Sequence, residues 1–190
     1  MSKTALLVMD VQKGIVGNLG ERADAYVEKV NRAVVAARQA NLSVMFIVVR
    51  FRNGYPELNP ANKFFSFVKE RIGENSLEND SPATQPIIEP LDNEQVIAKK
   101  RVSAFAGSDL EMILNAQGIT DLVLCGISTS GVVLSTLRYA SDKDYKLTVL
   151  SDACADNDEE VNRILLEKIF PRQADVISIE DWQNSLKQAN

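Results

Sequence analysis

Between Asp121 and Ala140 an apolar run, a turn of small residues and an amphipathic stretch follow one another without interruption. Asp121 to Cys125 (DLVLC) is short and mostly apolar, which suits a parallel strand buried on both faces. Gly126-Ile127-Ser128-Thr129-Ser130-Gly131 supplies a tight turn. Val132 to Ala140 then puts Val133, Thr136, Leu137 and Ala140 at helical spacing. A strand that runs straight into a helix leaves backbone N–H groups open at the helix start, a natural seat for an anion or oxyanion. Any α/β domain contains turns of this kind, so the turn alone assigns no chemistry.

The same alternation runs through the rest of the chain. Thr4 to Met9 (TALLVM) is a continuous apolar run closed by Asp10, and Val11 to Gly20, with three glycines and an asparagine, reads as a loop. Arg22 to Ala40 is an amphipathic helix with Asn41 as a left-handed cap. Ser43 to Val49 and Gln95 to Ala98 are the next strands, and Asp109 to Gln117 is a helix stopped by Gly118. Lys146 to Leu150 is a fifth strand ending at Ser151-Asp152. Asn157 or Asp158 caps a helix reaching Phe170, where Pro171 stops it. Ala174 to Ser178 and Glu180 to Gln188 close the chain as strand and helix. The pattern predicts a three-layer α/β/α sandwich around a mostly parallel six-stranded sheet, as one domain over residues 1–190.

Arg50 to Pro90 breaks the pattern. It holds five of the six prolines and the aromatics Phe51, Tyr55, Phe64, Phe65 and Phe67. A short helix is expected near Asn62 to Arg71, and a segment this long is usually functional or a partner surface. The aromatics suit either a pocket lining or a dimer interface.

Composition narrows the function. With 21 Lys and Arg against 26 Asp and Glu the net charge is −5, and no basic run carries interleaved aromatics, so neither nucleic acid nor a membrane is an expected partner. MSKTALLVMD meets an acid too early for a secretory leader, which points to the cytoplasm. Cys125 and Cys154 read as two reduced, buried thiols. Histidine is absent, which rules out Ser-His-Asp and Cys-His sites and histidine-based zinc binding.

In an open parallel sheet ligands bind beyond the carboxyl ends of the strands. Asp10, Lys99 and the Ser128–Val132 turn all fall there. Asp10 ends an apolar run and needs a partner if buried; Lys99 ends another and could provide it. Each could equally be a strand-end charge reaching solvent.

The turn resembles the nucleophile turn of the isochorismatase-like (cysteine hydrolase) superfamily, roughly G-x-x-T-x-x-C-V-x-x-T. Gly126, Thr129, Val133 and Thr136 match it without a gap, and Ala140 follows in the helix. The resemblance covers nearly the whole chain. Leu6 to Gln12 (LLVMDVQ) is similar to the family's first strand, Val96 to Phe105 (VIAKKRVSAF) to its K-x-x-x-S-A-F segment, and Ser151 to Asp156 (SDACAD) to the segment after the fifth strand. It implies Asp10 as general acid/base, Lys99 beside it, and an oxyanion turn of Ile127, Ser128, Thr129, Gly131 and Val132, with a cis peptide between Ile127 and Ser128.

One catalytic letter departs: Val132 stands where the family has its cysteine. Valine forms no acyl intermediate, and Cys125, inside the strand, does not replace the thiol. The D-x-H metal motif of the superfamily's nicotinamidases is also missing; Arg50-Phe51-Arg52-Asn53 stands in its region. No metal or cofactor is expected. The superfamily includes isochorismatases with glycine at the cysteine position, which hydrolyse a vinyl ether by acid catalysis. The resemblance therefore implies a small-molecule hydrolase without a cysteine nucleophile, cleaving an ether or C–N bond through Asp10, and assembled as a homo-oligomer (dimer or tetramer). The alternative is a catalytically inactive binding or scaffold protein of the same fold. A nucleotide-binding domain is disfavoured, since neither G-x-G-x-x-G after the first strand nor G-x-x-x-x-G-K-[ST] occurs.

Overall fold

The apolar runs pair as expected in the computed structural model, which describes residues 3–73 and 75–188. Met1 and Ser2, on which part of the leader reading rests, lie outside the described residues. The strands are β1 (Thr4–Met9), β2 (Ser43–Val49), β3 (Gln95–Lys99), β4 (Asp121–Ile127), β5 (Lys146–Ala155) and β6 (Asp175–Ile177). They form one sheet in the order β3-β2-β1-β4-β5-β6, and every neighbouring pair is parallel.

Continuous apolar strands imply cover on both faces, and two clusters provide it. Leu6, Val8, Phe46 and Val123 point toward α2 (Ala23–Gln39) and α7 (Ile179–Gln188), meeting Val30, Val34 and Trp182. Ala5, Leu7, Ile47 and Leu124 point the other way. They meet Leu114 of α4 (Leu110–Gln117), Leu137 of α5 (Leu134–Ser141), and Leu165 and Phe170 beyond α6 (Glu159–Ile164). The architecture is a three-layer α/β/α sandwich. Asn41 takes the left-handed conformation expected of it, with φ 55°. Gly118 does the same after α4, with φ 66°. Among the described residues no helix is long and apolar enough to cross a membrane.

Three local expectations are corrected. Val11 to Gly20 is not a plain loop: α1 (Lys13–Val16) runs into a 3-10 segment at Gly17–Arg22, which buries Val16 and Leu19 against the sheet. The fifth strand does not end at Leu150. Its register with β4 breaks between Leu124 and Gly126 and resumes with Gly126 opposite Cys154, so Ser151 and Asp152 ride in a bulge. Both have structural partners there. Ser151 Oγ donates to the Ile177 carbonyl, and Asp152 accepts the Ile179 N–H at the start of α7. Third, the focal helix opens with a π turn over Thr129–Val133 before α5 begins.

The helix expected in the long segment is α3 (Lys63–Ile72), and the Asn62 side chain caps it by accepting the Phe65 N–H at 3.1 Å. Around it Val49, Phe51, Tyr55, Phe65 and Leu77 form a third, separate cluster, with the Phe51 and Phe65 rings edge to face at 5.3 Å. Three of the five aromatics are thus structural. Gln12, fully buried, ties this region to the sheet. Its amide accepts the Val49 N–H and donates to the Val49 and Thr84 carbonyls, doing for β2 what another strand would do.

Candidate active site

Strands β1 to β3 add outward in one direction and β4 to β6 in the other, so the order reverses between β1 and β4. That reversal opens a crevice above the carboxyl ends of the two central strands. A cavity of about 350 Å³ occupies it. Met9 pairs with Gly126 in the sheet, so Asp10 and Ile127 leave it side by side. Gly126 is required by that contact: a Cβ there would lie 2.3 Å from the Met9 carbonyl oxygen. Asp10 itself adopts φ 56°, a left-handed conformation that aspartate tolerates better than most residues.

Lys99, at the end of the edge strand β3, reaches over the end of β2 and puts Nζ 2.9 Å from Asp10 Oδ2. A second Lys99 bond, at 3.0 Å, goes to the Arg101 carbonyl. Lys99 is 2% exposed and Asp10 is 7% exposed, so this is a buried ion pair. Burial pushes the Asp10 carboxyl above its ordinary value of 3.8, and the Lys99 ammonium offsets part of that rise. Asp10 Oδ1 is buried too and has no hydrogen-bond partner among the described residues. Asp10 and Lys99 both line the cavity.

The peptide bond between Ile127 and Ser128 is cis. Ile127, Ser128, Gly131 and Val132 all line the cavity that holds Asp10 and Lys99. Val132 presents hydrocarbon to it while remaining 2% exposed. At Gly131 a Cβ would sit 2.6 Å from Ser128 Oγ, so a side chain there would require the Ser128 hydroxyl to rotate away. Thr129, also expected in the site, is turned away: its hydroxyl donates to Asn162 Oδ1. The oxyanion expectation is narrowed as well. The Ser130 N–H donates to Asp156 Oδ2 at 2.8 Å and the Gly131 N–H to the Ser128 carbonyl at 3.1 Å, so neither is free for a ligand.

The sequence from Leu6 to Ala140 therefore builds a polar pair, a small-residue turn and an enclosed space in one place. A model of the isochorismatase domain matches residues 4–181. The chain belongs to the isochorismatase family of hydrolases. It is 30% identical over 185 residues to the uncharacterised isochorismatase family protein YwoC of Bacillus subtilis, covering 97% of this chain and 95% of that one. Ureidoacrylate amidohydrolase RutB of Stutzerimonas stutzeri is 28% identical over 172 residues, covering 80% of this chain and 69% of the relative. A cysteine hydrolase from Pseudomonas syringae pv. phaseolicola superposes with a TM-score of 0.88 at 22% identity, covering 99% of this chain and 94% of the other, which shows the shared fold.

In this isochorismatase-family chain several residues at the cavity were given no site role by the sequence. Asp156 is buried at the end of β5. Its Oδ2 accepts both the Ser130 N–H and, at 2.7 Å, the Ser130 hydroxyl, so it fastens the turn from behind. Asn157, next to it, lines the cavity, as does Asn18 from the 3-10 segment. Phe64 and Phe67 of α3 form the outer rim. Phe64 and Phe67 stand on one helix face, a pattern visible in sequence; Asp156 closes the SDACAD segment, whose resemblance gave it no role in the site. Neither thiol is among the residues lining the cavity, and burial holds Cys154 up at about 12 and raises Cys125 well above its ordinary value. Among the described residues no group of three or more His, Cys, Asp or Glu could hold a metal ion. In the segment after β2, Phe51 is core and Arg52 pairs with Glu57 at 2.7 Å.

Proposed function

We propose that this protein hydrolyses an ether or C–N bond in a small molecule without a cysteine nucleophile. Asp10 serves as general acid and base, and Lys99 sets its charge and orientation. The carrying observation is the buried Asp10–Lys99 pair in the wall of a cavity that Val132 also lines. Covalent catalysis has no nucleophile at Val132, so water must attack directly. Protonated Asp10 gives its proton to the substrate, water adds to the carbon of the breaking bond, and the surplus proton of that water returns to the carboxylate. Burial of Asp10 supports this role, because a raised pKa keeps more of the acid form at a given pH. RutB, an amidohydrolase by name, supports the C–N option.

Val132 favours a second reading, a binding protein that kept the fold and lost turnover. A hydrolysis screen over small amides, ureas and enol ethers separates the two, run on wild type, Asp10→Asn and Val132→Cys. Wild-type turnover abolished in Asp10→Asn is the expected result. Full activity in Asp10→Asn removes the acid/base role, and turnover confined to Val132→Cys identifies the binding protein. A cytoplasmic homo-oligomer completes the proposal, and light scattering of the purified protein gives its subunit count.

A further inference from the structure

Helix α2 carries an apolar side chain where a helix packed on a sheet should present polar ones. Val30, Ala33 and Ala37 pack inward, whereas Val35 lies on the opposite face, 39% exposed. Asp24, Glu28, Asn31 and Arg32 share that outward face at helical spacing. Beside it a groove of about 540 Å³ runs between α2 and residues 87–89, lined by Asp24, Val27, Glu28, Asn31, Arg38 and Ile87. Leu91, 51% exposed, lies close by, since Glu94 accepts its N–H and also two bonds from Arg38. One exposed valine is ordinary on a protein surface. A valine ridge and a partly apolar groove on the same helix are complementary shapes.

Charge says what fits there. Asp24 and Glu28 lie in the first half of α2, Arg32 and Arg38 in the second. The helix dipole favours that order in any helix, so the charges alone point to no partner. Their register with Val35 does. Two copies of α2, turned antiparallel about a two-fold axis at Asn31, bring Val35 opposite Val27 of the partner subunit. The same turn sets Asp24 opposite Arg38, Glu28 diagonally across from Arg32, and the two Asn31 amides against each other, where they can exchange hydrogen bonds. Asp24, Glu28 and Arg32 have no ion-pair partner among the described residues. Arg38 is held by Glu94 through Nε and Nη2, which leaves Nη1 for a further acceptor.

We infer that α2 is the interface between two copies of this chain, paired antiparallel about a two-fold axis, with Val35 of each copy seated in the groove of the other. This rests on the proposed homo-oligomer and gives it a face. Antiparallel pairing opposes the two helix dipoles, and it keeps acid from meeting acid as a parallel pair would. The 17 residues of α2 span about 25 Å. Ile87 and Leu91 widen the contact toward the roughly 800 Å² per copy that a stable interface buries.

Sedimentation velocity over a concentration series of the full chain tests it. Wild type is expected as a dimer, or as a tetramer that Val35→Asp reduces to a dimer. Val35→Asp should weaken the association by about ten-fold or more, with an unchanged far-ultraviolet circular dichroism spectrum showing that the variant is folded. Glu28→Arg and Arg32→Glu should each weaken it alone. An equimolar mixture of those two should recover the wild-type association, because each misplaced charge then meets its opposite. A wild-type oligomer that is indifferent to Val35→Asp, or a mixture that recovers nothing, overturns this face and leaves the homo-oligomer standing. A wild-type chain that stays monomeric at every concentration overturns both.

Discussion

Lys99 and Asp10 come from strands that are not neighbours, and the ammonium spans the end of β2 to reach the carboxylate at 2.9 Å. The pair thereby links the edge of the sheet to its centre. Removing one member leaves the other charged, buried and alone. Lys99→Met and Asp10→Asn should each destabilise the protein, by about 3–5 kcal/mol if the survivor stays charged. The double variant should be less destabilised than the sum of the singles. Urea denaturation of all four proteins measures the coupling, and strict additivity would show that the pair does not interact.

The pH dependence follows from the same pair. Asp10 titrates above 3.8 in the folded chain, so between 3.8 and its raised value the folded state binds more proton than the unfolded state. The Asp10 contribution to stability therefore falls as pH rises through that window. Activity that needs the acid form is lost over the upper part of the same range. Lys99→Met removes the opposing influence and should move the alkaline limb of both profiles upward. A limb that stays in place or moves down in that variant would assign the titration to another group.

Asp156 holds the turn through two bonds from Ser130. Asp156→Ala leaves a Ser130 N–H without its acceptor and should cost about 1–3 kcal/mol. Asp156→Asn keeps an acceptor and should cost less. Because the same turn carries Val132, amide exchange at Ser130 and Val132 should accelerate in Asp156→Ala while the β1 core remains protected. Unchanged exchange at the turn would mean that other contacts hold it.

Gly126→Ala places a methyl group 2.3 Å from the Met9 carbonyl oxygen, a contact that only movement of β1 or β4 can relieve. Both are central strands, so a loss of more than about 4 kcal/mol, or insoluble expression, is expected. A variant that melts within a few degrees of wild type would show that the two strands can separate there.

The centre of the sheet was legible because β1, β2 and β4 are nearly unbroken apolar runs, and burial on both faces leaves little else for such runs to do. Asp10 and Lys99 were legible as strand-end charges, and their partnership followed once both strands were placed on one edge of the same crevice. The bulge in β5 was hidden because Ser151 and Asp152 read as the end of a strand; their partners Ile177 and Ile179 lie more than 25 residues away. Asp156 was hidden for the same reason: its bonds to Ser130 cross from one strand end to the next. The helical spacing of Phe64 and Phe67 separated them from Phe65, but sequence did not say that Phe65 would serve both the third cluster and the cavity wall.

The third hydrophobic cluster lies apart from the two that sandwich the sheet, and it carries the rim of the cavity while the sheet carries the floor. Substitutions on the outward face of α3 can therefore accumulate without disturbing the strands that fix Asp10 and Lys99. Such a division lets a lineage reshape the mouth of the cavity while the buried ion pair beneath it is inherited intact.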